Sequence, residues 1–140
     1  MVCVCVCVCG VWGGVMRGAA GKTAVHCGDT PGFIVNRLLI PYLGQAIALL
    51  ARGDATAPDI DTGMMLGAGH PMGPLQLADY VGNDVCLSVM VGWVDKYPGN
   101  PAYQNPDAMA LLEDMVAKGH LGRKTGQGFY RWKGNKCLGL

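Results

Sequence analysis

The sequence predicts an all-α domain, with helix packed on helix, over residues 29–140. Its length of 140 residues suits one domain of ordinary size, and its 51% apolar and 15% charged content excludes a disordered chain. Apolar residues recur at helical spacing between glycine and proline breaks. The composition changes near Gly28, because residues 1–28 contain no acidic residue and only two charged ones, Arg17 and Lys22. We therefore interpret residues 1–28 and 29–140 separately.

The N-terminal segment contains a strict alternation of valine and cysteine over residues 2–9. As a strand, this run would be apolar on both faces. As a metal site, its thiolates would need further ligands, and no second cysteine cluster supplies them. A repeat of the nucleotides G and T, read in frame, also gives alternating Val and Cys codons, so we favour translated repeat or intron sequence for residues 1–20. We expect neither a function nor a metal site there.

The first helix is predicted to begin beside Pro31 and to end at Gly53. Asp29 and Thr30 can cap its first turn, where proline is favoured, and glycine is a common helix stop. Pro41 lies inside the apolar pattern and lacks a backbone N–H, so we expect it to kink the helix or to reset its start.

The second helix is predicted to follow Thr56 and to run to about Leu66. Pro58 stands early in it, and Asp59 lies three residues after the threonine, which resembles a capping box. The glycines and prolines of residues 67–74 then predict a loop.

Three further helices are predicted from the same kinds of signal. They begin near Pro74, behind Asn83 as a cap, and at Asn105-Pro106, the last ending at Gly119. Residues 122–128 are rich in glycine and predict a flexible tract, and residues 129–132 predict a short extended tail.

Charge and cysteine usage exclude several classes of protein. The formal net charge is +1, which gives no basic field for nucleic acid, and the glycine-broken apolar stretch near the N-terminus is too short to span a bilayer. No CxxC pair and no zinc-type Cys/His spacing occur among the seven cysteines. We therefore expect a reduced intracellular protein without a metal site.

Six motifs occur in order along residues 29–130: Asp29-Thr-Pro-Gly-Phe-Ile-Val-Asn-Arg-Leu-Leu-Ile-Pro41, Arg52-Gly-Asp54, Asp59-Ile-Asp61, Gly67-Ala-Gly-His-Pro-Met-Gly-Pro74, Asp79-Tyr-Val-Gly82 and Gly126-Gln-Gly-Phe-Tyr130. Together they resemble the C-terminal domain of NAD-dependent L-3-hydroxyacyl-CoA dehydrogenases, enzymes of fatty-acid β-oxidation. The resemblance covers about residues 22–133 and is closest to the short-chain, mitochondrial type. Bacterial 3-hydroxybutyryl-CoA dehydrogenases share the pattern.

The resemblance implies a helical domain of the 6-phosphogluconate-dehydrogenase-like C-terminal type, which dimerises and closes over substrate. It assigns residues 29–140 to that domain and residues 22–28 to a remnant of the domain before it. In the family, that preceding Rossmann domain binds most of the NAD and supplies a catalytic His-Glu pair. We find no GxGxxG turn here, and His26, His70 and His120 do not replace the catalytic histidine. We expect that the chain comes from a truncated or misassembled gene and is inactive alone.

The resemblance also assigns site residues. Asn36 matches an asparagine that contacts the reactive end of the substrate and orients the catalytic imidazole, a task for which an amide can both donate and accept. Lys124 matches a lysine that reaches the cofactor. A loop of five matching residues is expected to line the acyl pocket: Gly69, Pro71, Met72, Gly73 and Pro74.

The implied partners are a 3-hydroxyacyl-CoA substrate, NAD, and a second copy of the chain. The resemblance implies the mitochondrial matrix, with the cytoplasm as the alternative, since the chain shows no Arg-rich amphipathic presequence. Two other functions remain open: a non-catalytic dimerisation or interaction module, and, least favoured, metal or thiol binding by Cys3 to Cys9.

Overall fold

The computed structural model describes residues 4–8 and 23–140. The chain forms two compact units, Met1–Leu39 and Ile40–Leu140. The predictions for residues 1–3 and 9–22, including most of the proposed translated repeat and the thiols of Cys3 and Cys9, lie outside the described residues.

The first unit contains two parallel strands, β1 (Val4–Val8) and β2 (Thr23–Cys27). Their register runs from Val4 opposite Thr23 to Val8 opposite Cys27. A strand was one of the interpretations of the alternating run, and β2 coincides with the segment that resembles the end of a preceding domain.

Helix α1 spans Val35–Ala51, so the prediction that it begins at Pro31 was wrong. Gly32 and Phe33 have φ of 78° and 48°, which a right-handed helix excludes, and the chain makes a tight turn there instead. The helix continues through Pro41 without restarting. Ile40, Leu43 and Ile47 lie at helical spacing and are buried along one side of the helix.

Helix α2 spans Ala57–Gly67 and confirms the predicted start. The hydroxyl oxygen of Thr56 accepts the backbone N–H of Asp59 at 3.4 Å, and this hydroxyl donates to the Asp59 carboxylate at 2.5 Å. Helix α3 (Pro74–Val81) begins at the predicted proline. The predicted loop therefore separates two helices that pack on each other.

Helices α4 (Asn83–Lys96) and α5 (Pro106–Ala117) were predicted, but Asn83 is not a cap. Gly82 holds the cap position, and Asn83 is buried as the first helical residue. Its amide donates to Asp79 Oδ1 and to the backbone carbonyl of His120, each at 3.0 Å.

The C-terminal region, including the glycine-rich tract over residues 122–128, contains more regular structure than the sequence predicted. It contains a short 3₁₀ turn (Arg123–Thr125), and Gly122 donates its N–H to the Gln127 carbonyl at 2.8 Å. Strands β3 (Arg131–Lys133) and β4 (Lys136–Gly139) form an antiparallel hairpin. The extended tail was predicted, and β4 was missed.

The second unit confirms a mainly helical architecture. Its fully buried side chains come from helices that are far apart in sequence, among them Leu43, Ile47, Leu75 and Leu112. In the part of the chain that the structure describes, no helix combines the length and the apolarity that crossing a membrane requires.

Candidate functional site

Asp61 on α2 joins this helix to the start of α3. Its carboxylate is 2% exposed and accepts the backbone N–H groups of Leu75 at 2.8 Å and Gln76 at 3.0 Å. These are two of the N–H groups that a helix leaves unpaired at its N-terminus, and the helix dipole favours a negative charge at that end. Asp61 therefore caps α3 from another helix.

The residues before α3 fit closely against this carboxylate. A Cβ added to Gly73 would lie 2.2 Å from the Cβ and Cγ atoms of Asp61, so only glycine fits there. Pro74 is buried at the first helical position, where no N–H is needed. Gly73 and Pro74, two of the five predicted pocket residues, therefore have a packing role in the observed fold.

The rest of the predicted pocket loop is more open. Gly69 and Pro71 are exposed, Met72 is half-buried, and Gly69 has a φ of 69°. Between them, His70 Nδ1 lies 3.3 Å from the hydroxyl oxygen of Tyr42, and the two rings are 5.2 Å apart. The 69–74 loop is thus held at His70 and at Gly73, with Met72 between the two points.

Burial dominates the electrostatics around Asp61. It raises the pKa of the Asp61 carboxyl, against the lowering effects of its two backbone hydrogen bonds and of the nearby Tyr130 hydroxyl. Burial, followed by the negative charge of Asp61, raises the pKa of Tyr42 and, more strongly, that of Tyr130. The Tyr130 hydroxyl faces Asp61 without completing a hydrogen bond of good geometry among the described residues.

Asp79 on α3 is a second buried carboxylate and is 1% exposed. Besides Asn83, it accepts the backbone N–H groups of Phe129 and Tyr130 and the indole N–H of Trp132, each at 2.9 Å. Gly128 approaches it so closely that an added Cβ would overlap its carboxylate. Asp79 therefore attaches the C-terminal hairpin to α3.

Lys124 is held at the surface by an ion pair. Its Nζ lies 2.5 and 2.6 Å from the two carboxylate oxygens of Asp84, and the two side chains are 45% and 36% exposed. The lysine lowers the pKa of Asp84 chiefly through this hydrogen bond. Beside it, the Arg123 guanidinium lies 4.3 Å from the centre of the Tyr80 ring.

Asn36 is exposed in the first turn of α1 and belongs to the first unit, whereas Lys124 and the 69–74 loop belong to the second. Its backbone N–H donates to the Gly32 carbonyl at 3.1 Å, so the backbone is fixed and the amide side chain faces outward. Within the second unit, the structure attaches the loop to α2 and Lys124 to α4.

Two of the clefts in the second unit lie elsewhere. One is small and apolar, lined by Ile40, Gly44, Met90, Trp93 and Tyr103 among others. The other is open and includes residues 53–57. Neither is lined by the 69–74 loop or by Lys124.

The described residues contain no group of three or more His, Cys, Asp or Glu side chains placed to hold a metal ion. Cys27, Cys86 and Cys137 are free thiols. Burial raises the pKa of Cys86 to about 12, so this thiol stays protonated at neutral pH.

Sequence reasoning did not single out Asp61 or Asp79, although both stand in quoted motifs. A usable signal was present for Asp61: it shares the helical spacing of the buried Ala57 and Ile60, so the pattern puts an acid on an apolar face. Such a carboxylate must find donors when it is buried.

Comparisons with known proteins identify the family of this chain. Residues 32–132 match the family described as 3-hydroxyacyl-CoA dehydrogenase, C-terminal domain. A probable 3-hydroxyacyl-CoA dehydrogenase of Caenorhabditis elegans is 56% identical over 115 residues, which cover 82% of this chain and 38% of that protein. The human mitochondrial hydroxyacyl-coenzyme A dehydrogenase is 53% identical, over 82% of this chain and 36% of its own length.

A solved structure shows the same fold. The (S)-3-hydroxybutyryl-CoA dehydrogenase of Ralstonia eutropha superposes with a TM-score of 0.75 at 39% identity, covering 86% of this chain and 42% of that one. The chain thus spans well under half the length of these relatives. By its sequence match and its helical fold, the chain belongs to the 3-hydroxyacyl-CoA dehydrogenase family through that family's C-terminal domain.

Proposed function

We propose that this chain acts as the C-terminal domain, residues 29–140, of an NAD-dependent enzyme that oxidises L-3-hydroxyacyl-CoA to 3-oxoacyl-CoA in fatty-acid β-oxidation. One observation carries the proposal: the family match over residues 32–132, with relatives above 50% identity that bear this activity in their names. Residues 1–28 have no part in the proposed reaction.

In this reaction, NAD would accept the hydride that leaves the hydroxyl-bearing carbon. We assign Asn36 the task of positioning the reactive end of the substrate. Its exposed amide can donate one hydrogen bond and accept another, and its backbone is fixed by the first turn of α1. The base that removes the hydroxyl proton would come from a nucleotide-binding domain, since we assign none to this chain.

Lys124 fits a contact with the ribose or phosphate groups of NAD. Its ammonium is exposed and anchored by Asp84, so it can share its remaining donor with a ligand while it keeps the ion pair.

The test is a fusion. Residues 22–140 would replace the C-terminal domain of the related C. elegans enzyme, and NADH formation from L-3-hydroxyacyl-CoA would be measured. We expect an active fusion, a loss of about a hundredfold in kcat on Asn36→Ala, and no activity from the 140-residue chain alone. A folded fusion that binds NAD but oxidises no 3-hydroxyacyl-CoA would contradict the proposal.

A second copy of the chain is the proposed protein partner. Large apolar side chains are exposed on α2 to α4, among them Leu66 at 81%, Tyr80 at 45% and Val85 at 43%, and dimer formation would cover such a surface. We expect a dimer by sedimentation at micromolar concentration. A dimer without activity in any fusion would favour the alternative function, a non-catalytic interaction module.

The mitochondrial matrix is the proposed location, because the human relative is named as mitochondrial. Because bacterial proteins are also among the relatives, the cytoplasm is the alternative location.

A further inference from the structure

The position of the 69–74 loop depends on a residue outside the loop. Its C-terminal end is held by the Asp61 carboxylate through the N–H groups of Leu75 and Gln76. This carboxylate comes from α2, so the position of the loop depends on a residue that lies in neither the loop nor α3. Removing it would leave two buried or half-buried N–H groups without an acceptor.

The close fit at Gly73 limits how far the loop can move relative to Asp61. Because a Cβ at this position would lie 2.2 Å from Asp61, the loop backbone and the carboxylate side chain are in direct contact. Two hydrogen bonds fix the direction of α3, and the contact fixes its distance from α2. The loop cannot move toward α2, and it moves away only by breaking the hydrogen bonds.

Met72 lies one residue before this contact and is half-buried. Its side chain is unbranched and apolar, so it suits an adaptable wall against an acyl chain. The two anchors, at His70 and at Gly73, leave it little freedom to shift along the backbone.

We propose that Asp61 is a positioning residue for the substrate: it fixes the 69–74 loop and so sets where Met72 limits the acyl chain. This inference rests on the proposed function and on the expectation, from the family resemblance, that the loop lines the acyl pocket. Asp61 touches neither substrate nor cofactor in this scheme and acts only through the loop.

The first experiment is hydrogen exchange on the 140-residue chain. Asp61→Asn should raise the exchange of the Leu75 and Gln76 amides about tenfold, while the amides of Phe129 and Tyr130 stay protected. Asp79→Asn is the matched control, since it removes an equally buried carboxylate and should show the reverse pattern. Equal exchange changes at both places in both variants would mean general loosening and would overturn the anchor.

The second experiment compares medium-chain with short-chain L-3-hydroxyacyl-CoA in the active fusion. Asp61→Asn and Met72→Ala should each change the ratio of the two kcat/KM values about tenfold, mainly through KM, whereas Asp79→Asn leaves the ratio unchanged. If Asp61→Asn does not fold, Gly73→Ala displaces the loop from the opposite side and should change the ratio likewise.

The outcomes separate the two proposals. An active fusion whose ratio is unaffected by Met72→Ala overturns this inference and leaves the proposed function standing. A folded fusion that is inactive with every chain length overturns the proposed function, and this inference with it.

Discussion

Asp61 and Asp79 are buried to the same degree, yet their surroundings differ. Asp79 receives four hydrogen bonds, three of them from the C-terminal hairpin region. Asp61 receives two, and the nearby Tyr130 hydroxyl completes none with it. The two sites therefore differ in the number of hydrogen-bond donors around the buried charge. Asp79 attaches the hairpin to α3 with a fully hydrogen-bonded carboxylate, whereas Asp61 holds the 69–74 loop with fewer donors, which makes its buried charge less favourable.

The largest expected loss of stability comes from the substitution of Asp79, the carboxylate with more hydrogen bonds. Asp79→Asn replaces an acceptor oxygen by an NH₂ group and leaves buried donors of Tyr130 and Trp132 facing another donor. We expect the free energy of unfolding to fall by about 3 kcal/mol, measured by urea denaturation. Asp61→Asn should lower it less, by about 1–2 kcal/mol, because fewer donors lose their acceptor. The reverse order would show that the hydrogen bonds do not distinguish the two sites.

The pH dependence of stability sharpens the comparison for Asp61. Its pKa is raised in the folded state, so between the unfolded and folded pKa values the folded protein binds more protons than the unfolded chain. The free energy of unfolding therefore decreases as pH rises through this window and increases as pH falls. We expect the stability advantage of the wild type over Asp61→Asn to grow as the pH falls through the folded pKa toward the unfolded one, at about pH 4.

Asp84 provides the control of opposite sign. Its pKa is lowered by Lys124, so the ion pair contributes stability above the unfolded pKa and loses it as pH falls below that value. Relative to Asp84→Asn, the wild type should lose stability on acidification below about pH 4. If acidification changed the stability of the wild type in the same direction relative to Asp61→Asn and to Asp84→Asn, the causes assigned to the two pKa shifts would be wrong.

The smallest effect on stability is expected at the exposed ion pair. Lys124→Ala should change the free energy of unfolding by at most about 1 kcal/mol, because both side chains are well exposed to water. In the fusion, the same variant should raise the KM for NAD while kcat changes little. Lys118→Ala is the matched control: it removes another exposed lysine ion pair, with Asp114, and should leave the KM unchanged. A KM for NAD that Lys124→Ala also leaves unchanged would remove Lys124 from the cofactor site.

The sequence predicted those features whose partners lie within a few residues. The start of α2 followed from Thr56 and Asp59, which are three residues apart and bond to each other. The start of α1 was misplaced, because the positive φ values at Gly32 and Phe33 leave no mark on apolar periodicity.

The two carboxylate sites could not be predicted in the same way. Three of the four donors to Asp79 lie 50 to 53 residues further along the chain, and those to Asp61 lie on the next helix. Only a family resemblance assigned Asn36 and Lys124, and their roles stay predictions. Local spacing indicates where an acid lies on an apolar face, but it does not identify the donors that the fold brings to it.

The attachment of the hairpin to Asp79 has a consequence for synthesis on the ribosome. Before residues 129–132 have left the exit tunnel, the growing chain offers the Asp79 carboxylate only the amide of Asn83. A charge so poorly solvated opposes the burial of α3, so this helix has to stay near water until residues 129–132 are free to fold back onto it. The helical unit therefore closes late, and for most of its synthesis it presents apolar helix faces that a chaperone can bind.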